Sequence, residues 1–460
     1  MKSIDPSIRV WLEDRGKAIR DPIWEYIYLS KGFEALVDTE DFQRLRRISQ
    51  LGHVSWVYPG ARHSRFEHSM GVHHLSKKFL LKLLESEPPL AISEDDVKVF
   101  LTASLLHDIG HYPFSHVLEE LGDLFIHHEE RGRRIIMDST SEIHDVIRNT
   151  LEIDPVRVAN VIDADNPKFP IPAEDRLLNK IISGTLDPDK IDYLLRDSLY
   201  CGVPFGLSVN KWQLIDSITF DATRQRLAIT HKGISSIESL IFTNYLMYRN
   251  VYWHHGVRAA VSMFKRAVWE TVAHPDCTLR VEDFERIDEF QLVELLRREI
   301  RNRDDPHLHR LFEDMLRRRL YKVGRIFYSH EKDTSFVKLF HELYKHPGKR
   351  FETETGLSKI FAKRLGKEIP DNAVLIDIPS FSKSLEIDLK VFYGDHAPEG
   401  CEDPLAFDDW HVTRLKEYLV DNFEEHAKVF RIFCLDDEGL RMDLKDNVKK
   451  MLSQPLSAAP

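Results

Sequence analysis

The stretch SEDDVKVFLTASLLHDIGH, residues 93–111, decides how this chain is read. Ser93 with Asp96 three residues on is a capping-box variant that starts a helix. Phe100, Leu101, Ala103, Leu105 and Leu106 then make the helix apolar nearly all round, which predicts burial. At its polar end stand His107 and Asp108. Imidazole supplies a neutral nitrogen and carboxylate a hard anionic oxygen, so the pair can hold a divalent ion and leave positions open to water. A His-Asp dipeptide alone says little, but eleven of the 23 histidines fall between His53 and His144. Dispersed structural histidines would not concentrate so.

Outward from this helix the pattern stays helical. Asp21–Leu29, with aromatics at Trp24, Tyr26 and Tyr28, reads as a short strand or hairpin. Residues 38–51 read as a helix with Phe42, Leu45 and Ile48 on one face, and Pro59-Gly60 breaks the chain before a helix opening at Arg65 and running to about Glu85. Helical spacing returns over 115–121, 127–137, 141–151, 155–162 and 189–199. Ile218–His231 suits a two-stranded hairpin, and one long helix is predicted over 234–274. From about Asn372 the texture changes: strands at 374–378, 389–393 and 430–435 alternate with a helix over 410–429 and a terminal helix. The fold class expected is mostly α, a helical bundle with minor β hairpins and a small α+β C-terminal lobe. Its divisions are an N-terminal segment (1–50), a catalytic core (51–200), a helical extension (201–370) and the lobe (371–460).

With 42% apolar and 30% charged residues this is an ordinary globular composition. The net charge of −11 argues against a generally nucleic-acid-coating surface, so an anionic substrate needs a focused pocket. Arg131–Arg134, Arg297–Arg303 and Arg317–Arg319 are interleaved with acids and read as solvated helix faces; nucleic acid is at most a secondary partner. Four scattered cysteines without a CxxC spacing suit reduced thiols and a cytoplasmic location. No apolar run approaches the ~20 residues of a membrane span.

His68, His107, Asp108 and Asp189 form the predicted metal set, drawn from three helices. Two imidazoles and two carboxylates accept Mn, Fe, Mg, Zn, Co or Ni without choosing among them. Taken singly, each reads first as a helix cap or a satisfied core polar group; the set is what carries weight. His111 shares the helix face of His107, and His116 and His128 follow close behind. Histidines beside a metal suit phosphate ligation and proton transfer, with His128 backed by Glu119 or Glu129 as general acid or base. His127 reads as solvated. Arg65 lies one turn before His68 and can clamp phosphate oxygens, and Lys190 and Tyr193 flank Asp189.

The blocks Gln43–Gly52, Pro59–Val72, His107–His116, Asp187–Asp197 and Tyr248–His255 resemble the HD-domain deoxynucleoside triphosphate triphosphohydrolases, over roughly residues 17–275. The resemblance implies an HD-domain bundle and hydrolysis at the α-phosphorus, giving a deoxynucleoside and intact inorganic triphosphate. It places the metal on His68, His107, Asp108 and Asp189, and substrate phosphate or protons on Arg65, His111, His116, His128, Lys190 and Tyr193. His128 matches the family's proton carrier, with Glu119 at the position of its supporting acid. Gln50, Leu51, Asp197 and Tyr252 would line deoxyribose and base. An apolar wall there leaves a ribose 2′-hydroxyl desolvated and unpaired.

The resemblance further implies a homotetramer or homodimer activated by dGTP, GTP or another dNTP, with Lys17, Asp38, Gln43 and Arg46 at the activator. Two departures from the mammalian pattern, Arg20 near that pocket and Asn244 where a phosphate-binding Arg is expected, put regulation and phosphate grip in question. Two other readings stay open: an HD phosphodiesterase or nucleotidase on another nucleotide, and a nucleic-acid-binding protein whose HD activity is secondary.

Overall fold

Ser93 caps the central helix as its spacing predicts: its hydroxyl accepts the Asp96 N–H at 3.2 Å, and Asp96 Oδ2 takes the Ser93 N–H at 2.8 Å. In this computed structural model, which describes residues 4–328, 334–380, 388–401 and 403–452, every residue from Val97 to Leu106 is buried. Three helices pack around it. Arg65–Glu85 carries a Ser64/Glu67 capping box, Pro155–Ile162 is started by Asp154 and Pro155, and Ala173–Ile182 closes the bundle. The last of these is absent from the sequence reading. Pro188–Cys201 lies against Arg65–Glu85 and ends at Gly202, whose positive φ of 68° supplies the left-handed cap.

The chain is mostly α, as its periodicity indicates, and its strands are few and short. An antiparallel hairpin pairs Lys17–Asp21 with Glu25–Leu29 and buries Trp24, Ile27 and Leu29. The predicted hairpin after residue 217 forms from Ile218–Asp221 and Arg226–Thr230. The C-terminal strands divide between two sheets: Lys390–Phe392 pairs in parallel with Arg226–Thr230, whereas Val374–Asp377 and Lys322–Phe327 flank Phe430–Cys434.

Two expected helices are interrupted, one for a backbone bridge and one where a polar side chain is presented. The helix expected over 38–51 ends at Arg47, because Ile48 turns extended to accept the Arg65 N–H at 2.9 Å and Ser49 bridges Ser64. Ile234–Met247 widens into a π turn at Tyr248–Tyr252 and stops at Trp253; His254 then caps a new helix, His255–Val272, through its Nδ1 on Gly256 N–H. The π turn presents Tyr252 to Asp197, in keeping with the usual place of such bulges at functional sites. The helix expected over 410–429 begins only at Leu415. Arg131 and Arg133 are not solvated: Arg131 donates to the carbonyls of Gly110, His111 and Glu285, and Arg133 to Asn160. Among the described residues no helix is long and apolar enough to cross a membrane.

Candidate active site

The four predicted metal ligands meet where three helix ends converge. His68 stands one turn into Arg65–Glu85, His107 and Asp108 close the central helix, and Asp189 opens Pro188–Cys201 behind its cap Asp187. His68 Nε2 lies 2.9 Å from Asp189 Oδ1, 3.3 Å from His107 Nε2 and 3.8 Å from Asp108 Oδ2. His107 Nε2 lies 3.4 Å from Asp108 Oδ1 and 3.7 Å from Asp189 Oδ1. Donor atoms bonded to one ion at about 2.1 Å stand ~3–3.5 Å apart, so this set fits a divalent metal. Each imidazole also has its far nitrogen fixed: His107 Nδ1 donates to Ser104 O at 2.9 Å, and His68 Nδ1 to Asp192 Oδ2 at 2.8 Å. Burial opposes charge on His68, but Asp189 and Asp192 outweigh it and lift the imidazole to about 10.

Arg65 is buried and aimed into the same cleft. Its Nη1 lies 2.5 Å from Asp108 Oδ2, and Nε donates to Ser115 Oγ at 2.9 Å. Although burial disfavours charge on Asp108, Arg65 and the neighbouring imidazoles hold it well below the carboxylate range. Asp108 Oδ1 then contacts His111 Nε2 at 3.1 Å, which joins the metal ligands to a second cluster.

That cluster centres on Glu119. His128 Nδ1 lies 3.0 Å from its Oε1, His116 Nδ1 3.1 Å from its Oε2, and His111 Nδ1 3.6 Å from Oε1. The His111 and His128 rings are stacked, with centroids 3.8 Å apart and an interplanar angle of 16°. Imidazole lone pairs lie in the ring plane, and two nearly parallel planes do not meet at one nearby ion, so hydrogen bonding to Glu119 describes this group better than shared metal ligation. Burial works against protonation of His128, yet the Glu119 charge and hydrogen bond raise it above an ordinary imidazole. His111 goes the other way, driven well down by burial and by Arg65. Protonation is thus favoured on one stacked ring and opposed on the other. His127 is exposed, as its reading expects.

A third group gathers around Asp197. Asp197 accepts from Tyr252 OH at 2.7 Å and lies 2.7 Å from His63 Nε2, whose ring stacks on Tyr200. Tyr193 and Leu51 pack on the same core, and Gln50 donates its N–H to His63 O while its buried Oε1 has no partner. Lys190 departs from this gathering: its ammonium is bonded to the carbonyls of Gly184 and Thr185 and to Asp187. Lys17, Asp38, Gln43 and Arg46 lie together at the protein surface. Lys17 pairs with Glu34 at 3.0 Å and feels the Asp38 charge, Gln43 Nε2 donates to Val37 O, and Arg46 donates to Gln43 and covers the Phe66 ring.

Sequence reasoning missed two supporting carboxylates. Asp192 sits one turn after Asp189, a spacing that could have exposed it. Glu289 had no such signal. It reaches in from the helix Glu289–Arg301, and its Oε1 accepts from Ser49 N–H, Ser49 Oγ and Phe114 N–H at 3.1, 2.5 and 3.3 Å. It thereby ties the Gln50–Leu51 segment to the turn at Phe114–Ser115, where both residues hold positive φ (60° and 55°).

A helical body with a His, His-Asp, Asp set able to hold a metal beside a histidine cluster is the arrangement of an HD domain. Residues 65–182 match the HD domain family and 209–398 the HD associated region. The chain thus carries an HD domain followed by an HD associated region, and it is similar at 25–30% identity to the SAMHD1 deoxynucleoside triphosphate triphosphohydrolases. An uncharacterised protein of Methanocaldococcus jannaschii is 37% identical over 61% of this chain and 55% of its own length. The deoxynucleoside triphosphate triphosphohydrolase SAMHD1 homolog of Dictyostelium discoideum is 30% identical over 69% of this chain and 62% of its own. A solved phosphohydrolase from Bacteroides thetaiotaomicron superposes with a TM-score of 0.65 at 25% identity, covering 92% of this chain and 100% of that one. The chain spans about half the length of the first curated relatives it matches.

Proposed function

We propose that the protein hydrolyses deoxynucleoside triphosphates to deoxynucleoside and inorganic triphosphate. The observation that carries this reading is the Asp108–His111 contact, which sets a metal-ligand cluster directly against an acid-backed histidine pair. A divalent ion held by His68, His107, Asp108 and Asp189 would polarise a phosphate and acidify water. Arg65 meets phosphate oxygens on the same side, with exposed His116 as a further donor, while neutral His111 spends its one N–H on Asp108 Oδ1. Cleaving the α-phosphorus–O5′ bond leaves an alkoxide that needs a proton. In this reading His128, whose protonation Glu119 favours, donates it from Nε2, which also lies 3.3 Å from Glu129 Oε1, and recovers it from solvent, while Glu119 holds Nδ1. Gln50, Leu51, Tyr193, Asp197 and Tyr252 form the sugar and base wall, with Leu51 disfavouring a 2′-hydroxyl.

The same reading includes a homotetramer or homodimer in the cytoplasm, with dGTP, GTP or another dNTP at Lys17, Asp38, Gln43 and Arg46. One observation favours a second reading, a nucleotidase or phosphodiesterase on another nucleotide: Lys190 is spent on its own loop and Asn244 offers no charge, which thins the grip on a triphosphate. Product analysis by anion exchange separates them, using Mn²⁺ or Mg²⁺ with each dNTP singly and in mixture. Triphosphate plus deoxynucleoside, lost in Asp108→Ala, supports the first reading; phosphate or pyrophosphate supports the second, and activity only in mixtures points to the activator site.

A further inference from the structure

Behind His68 runs a line of buried polar groups leading out of the HD core into the N-terminal hairpin. Asp192 Oδ2, which accepts the His68 Nδ1–H at 2.8 Å, also accepts Arg196 Nε at 2.8 Å. Its other oxygen accepts Arg196 Nη2 at 2.9 Å and the Trp24 indole N–H at 2.6 Å. Arg196 Nη1 then donates to Asp21 Oδ2 at 2.8 Å, and Asp21 Oδ1 accepts the Ile23 and Trp24 backbone N–H groups, both at 2.8 Å. Asp192 and Arg196 are fully buried, and Asp21 and Trp24 nearly so. The network lies flush against the helix that carries His68. At Gly71, one turn on, an added Cβ would stand 1.9 Å from Asp192 Oδ1 and 2.5 Å from Arg196 Nη2.

A hairpin that only covered the core could do so with apolar residues, since a buried ionic network adds little or no net stability over well-packed hydrophobic side chains. What this network does provide is orientation. A carboxylate that accepts an imidazole N–H fixes ring direction and tautomer, and its usefulness depends on its own donors holding it still. Arg196 grips Asp192 through both oxygens, Trp24 fixes the edge facing the hairpin, and Asp21 balances the far side of the guanidinium. Four charges in line, counted from Asp21 to an ion at His68, alternate in sign.

We infer that Trp24 and Asp21 are positioning residues for the metal ligand His68, acting through Asp192 and Arg196, so that the N-terminal hairpin is part of the metal centre. This rests on the reading of His68 as a metal ligand. The test is Mn²⁺ affinity, measured by chelator competition on the full chain, with thermal melting alongside. Trp24→Phe keeps the ring and deletes the indole N–H; Asp21→Asn keeps the shape and deletes the charge. Each is expected to weaken Mn²⁺ binding by up to about tenfold, the lower end of the cost of losing a direct outer partner of a metal-bound histidine, because Asp192 itself stays in place. Ile27→Val, in the same hairpin and equally buried, serves as the structural control: it lowers the melting temperature and leaves Mn²⁺ affinity unchanged.

Affinity within twofold of wild type in both Trp24→Phe and Asp21→Asn would overturn the inference. So would a loss in Ile27→Val matching theirs, because that would make the effect one of hairpin stability. If the wild-type chain binds no Mn²⁺, the ligand assignment itself fails and takes the inference with it.

Discussion

His53 offers a prediction whose size can be worked out in advance. The side chain is 1% exposed, neither ring nitrogen has a hydrogen-bond partner, and three aromatic rings surround it. It stacks on Phe114 at 4.6 Å, meets Trp56 edge-on at 4.9 Å and tilts against Phe264 at 5.0 Å. Burial pushes this imidazole down to about 3, whereas in the unfolded chain it titrates near 6.5. Below pH 6.5 the unfolded state therefore takes up a proton that the folded state refuses, and stability falls as pH drops from about 6.5 towards 3. At pH 5 the loss from this one residue is about 2 kcal/mol, and at pH 7.5 it is close to zero. His53→Phe keeps the stacking and removes the titration. Any overpacking by the larger ring is independent of pH and cancels when the two conditions are compared. Urea unfolding of both proteins in chelator at pH 7.5 and pH 5 is the assay. The variant should gain about 2 kcal/mol on wild type between the two conditions. A gain under ~0.5 kcal/mol, a typical noise level for such extrapolations, would refute the reasoning.

Other expectations follow from the same geometry. Glu119→Gln should lower turnover about 100-fold, the scale of general acid catalysis, while Mn²⁺ affinity holds. Because His128 would lose the charge that raises its pKa, the activity lost as pH rises should be lost at a lower pH in this variant, as a pH–rate profile will register. Gly71→Ala drives a methyl into Asp192 and should cost about 1–3 kcal/mol or more; an unshifted melting temperature would contradict the contact distances. Glu289→Ala strands the Ser49 and Phe114 N–H donors, a cost of about 1–3 kcal/mol each. It should also raise KM more than it lowers kcat, since it frees the segment carrying Gln50 and the turn that holds Arg65; steady-state kinetics with a dNTP would expose the reverse split.

Much of the site was legible before any coordinates because its chemistry is local in sequence. His107, Asp108 and His111 follow one another on a helix end, and Arg65 precedes His68 by one turn. What eluded the sequence was long-range or set by competition. Glu289 reaches Ser49 across 240 residues. Lys190 lies in the right place along the chain, yet its ammonium is captured by nearby carbonyls that periodicity does not reveal. Two helices were read as running on unbroken, since hydrophobic spacing persists through Ile48 and Tyr252 although the backbone there bends to satisfy a bridge and a hydrogen bond.

By itself the sequence determined a mostly helical body, a buried central helix with polar residues at its end, and a ligand set able to hold a divalent ion. These follow from periodicity and residue chemistry, which act over a few turns. Only the tertiary structure decided which groups support which. It brought Asp21 and Trp24 behind His68, set His111, whose protonation burial opposes, against His128, whose protonation Glu119 favours, and turned Arg131 and Arg133 inward. The reason is that burial and neighbouring charge are properties of the packed chain, and they choose protonation and partner for side chains whose identities alone leave both open.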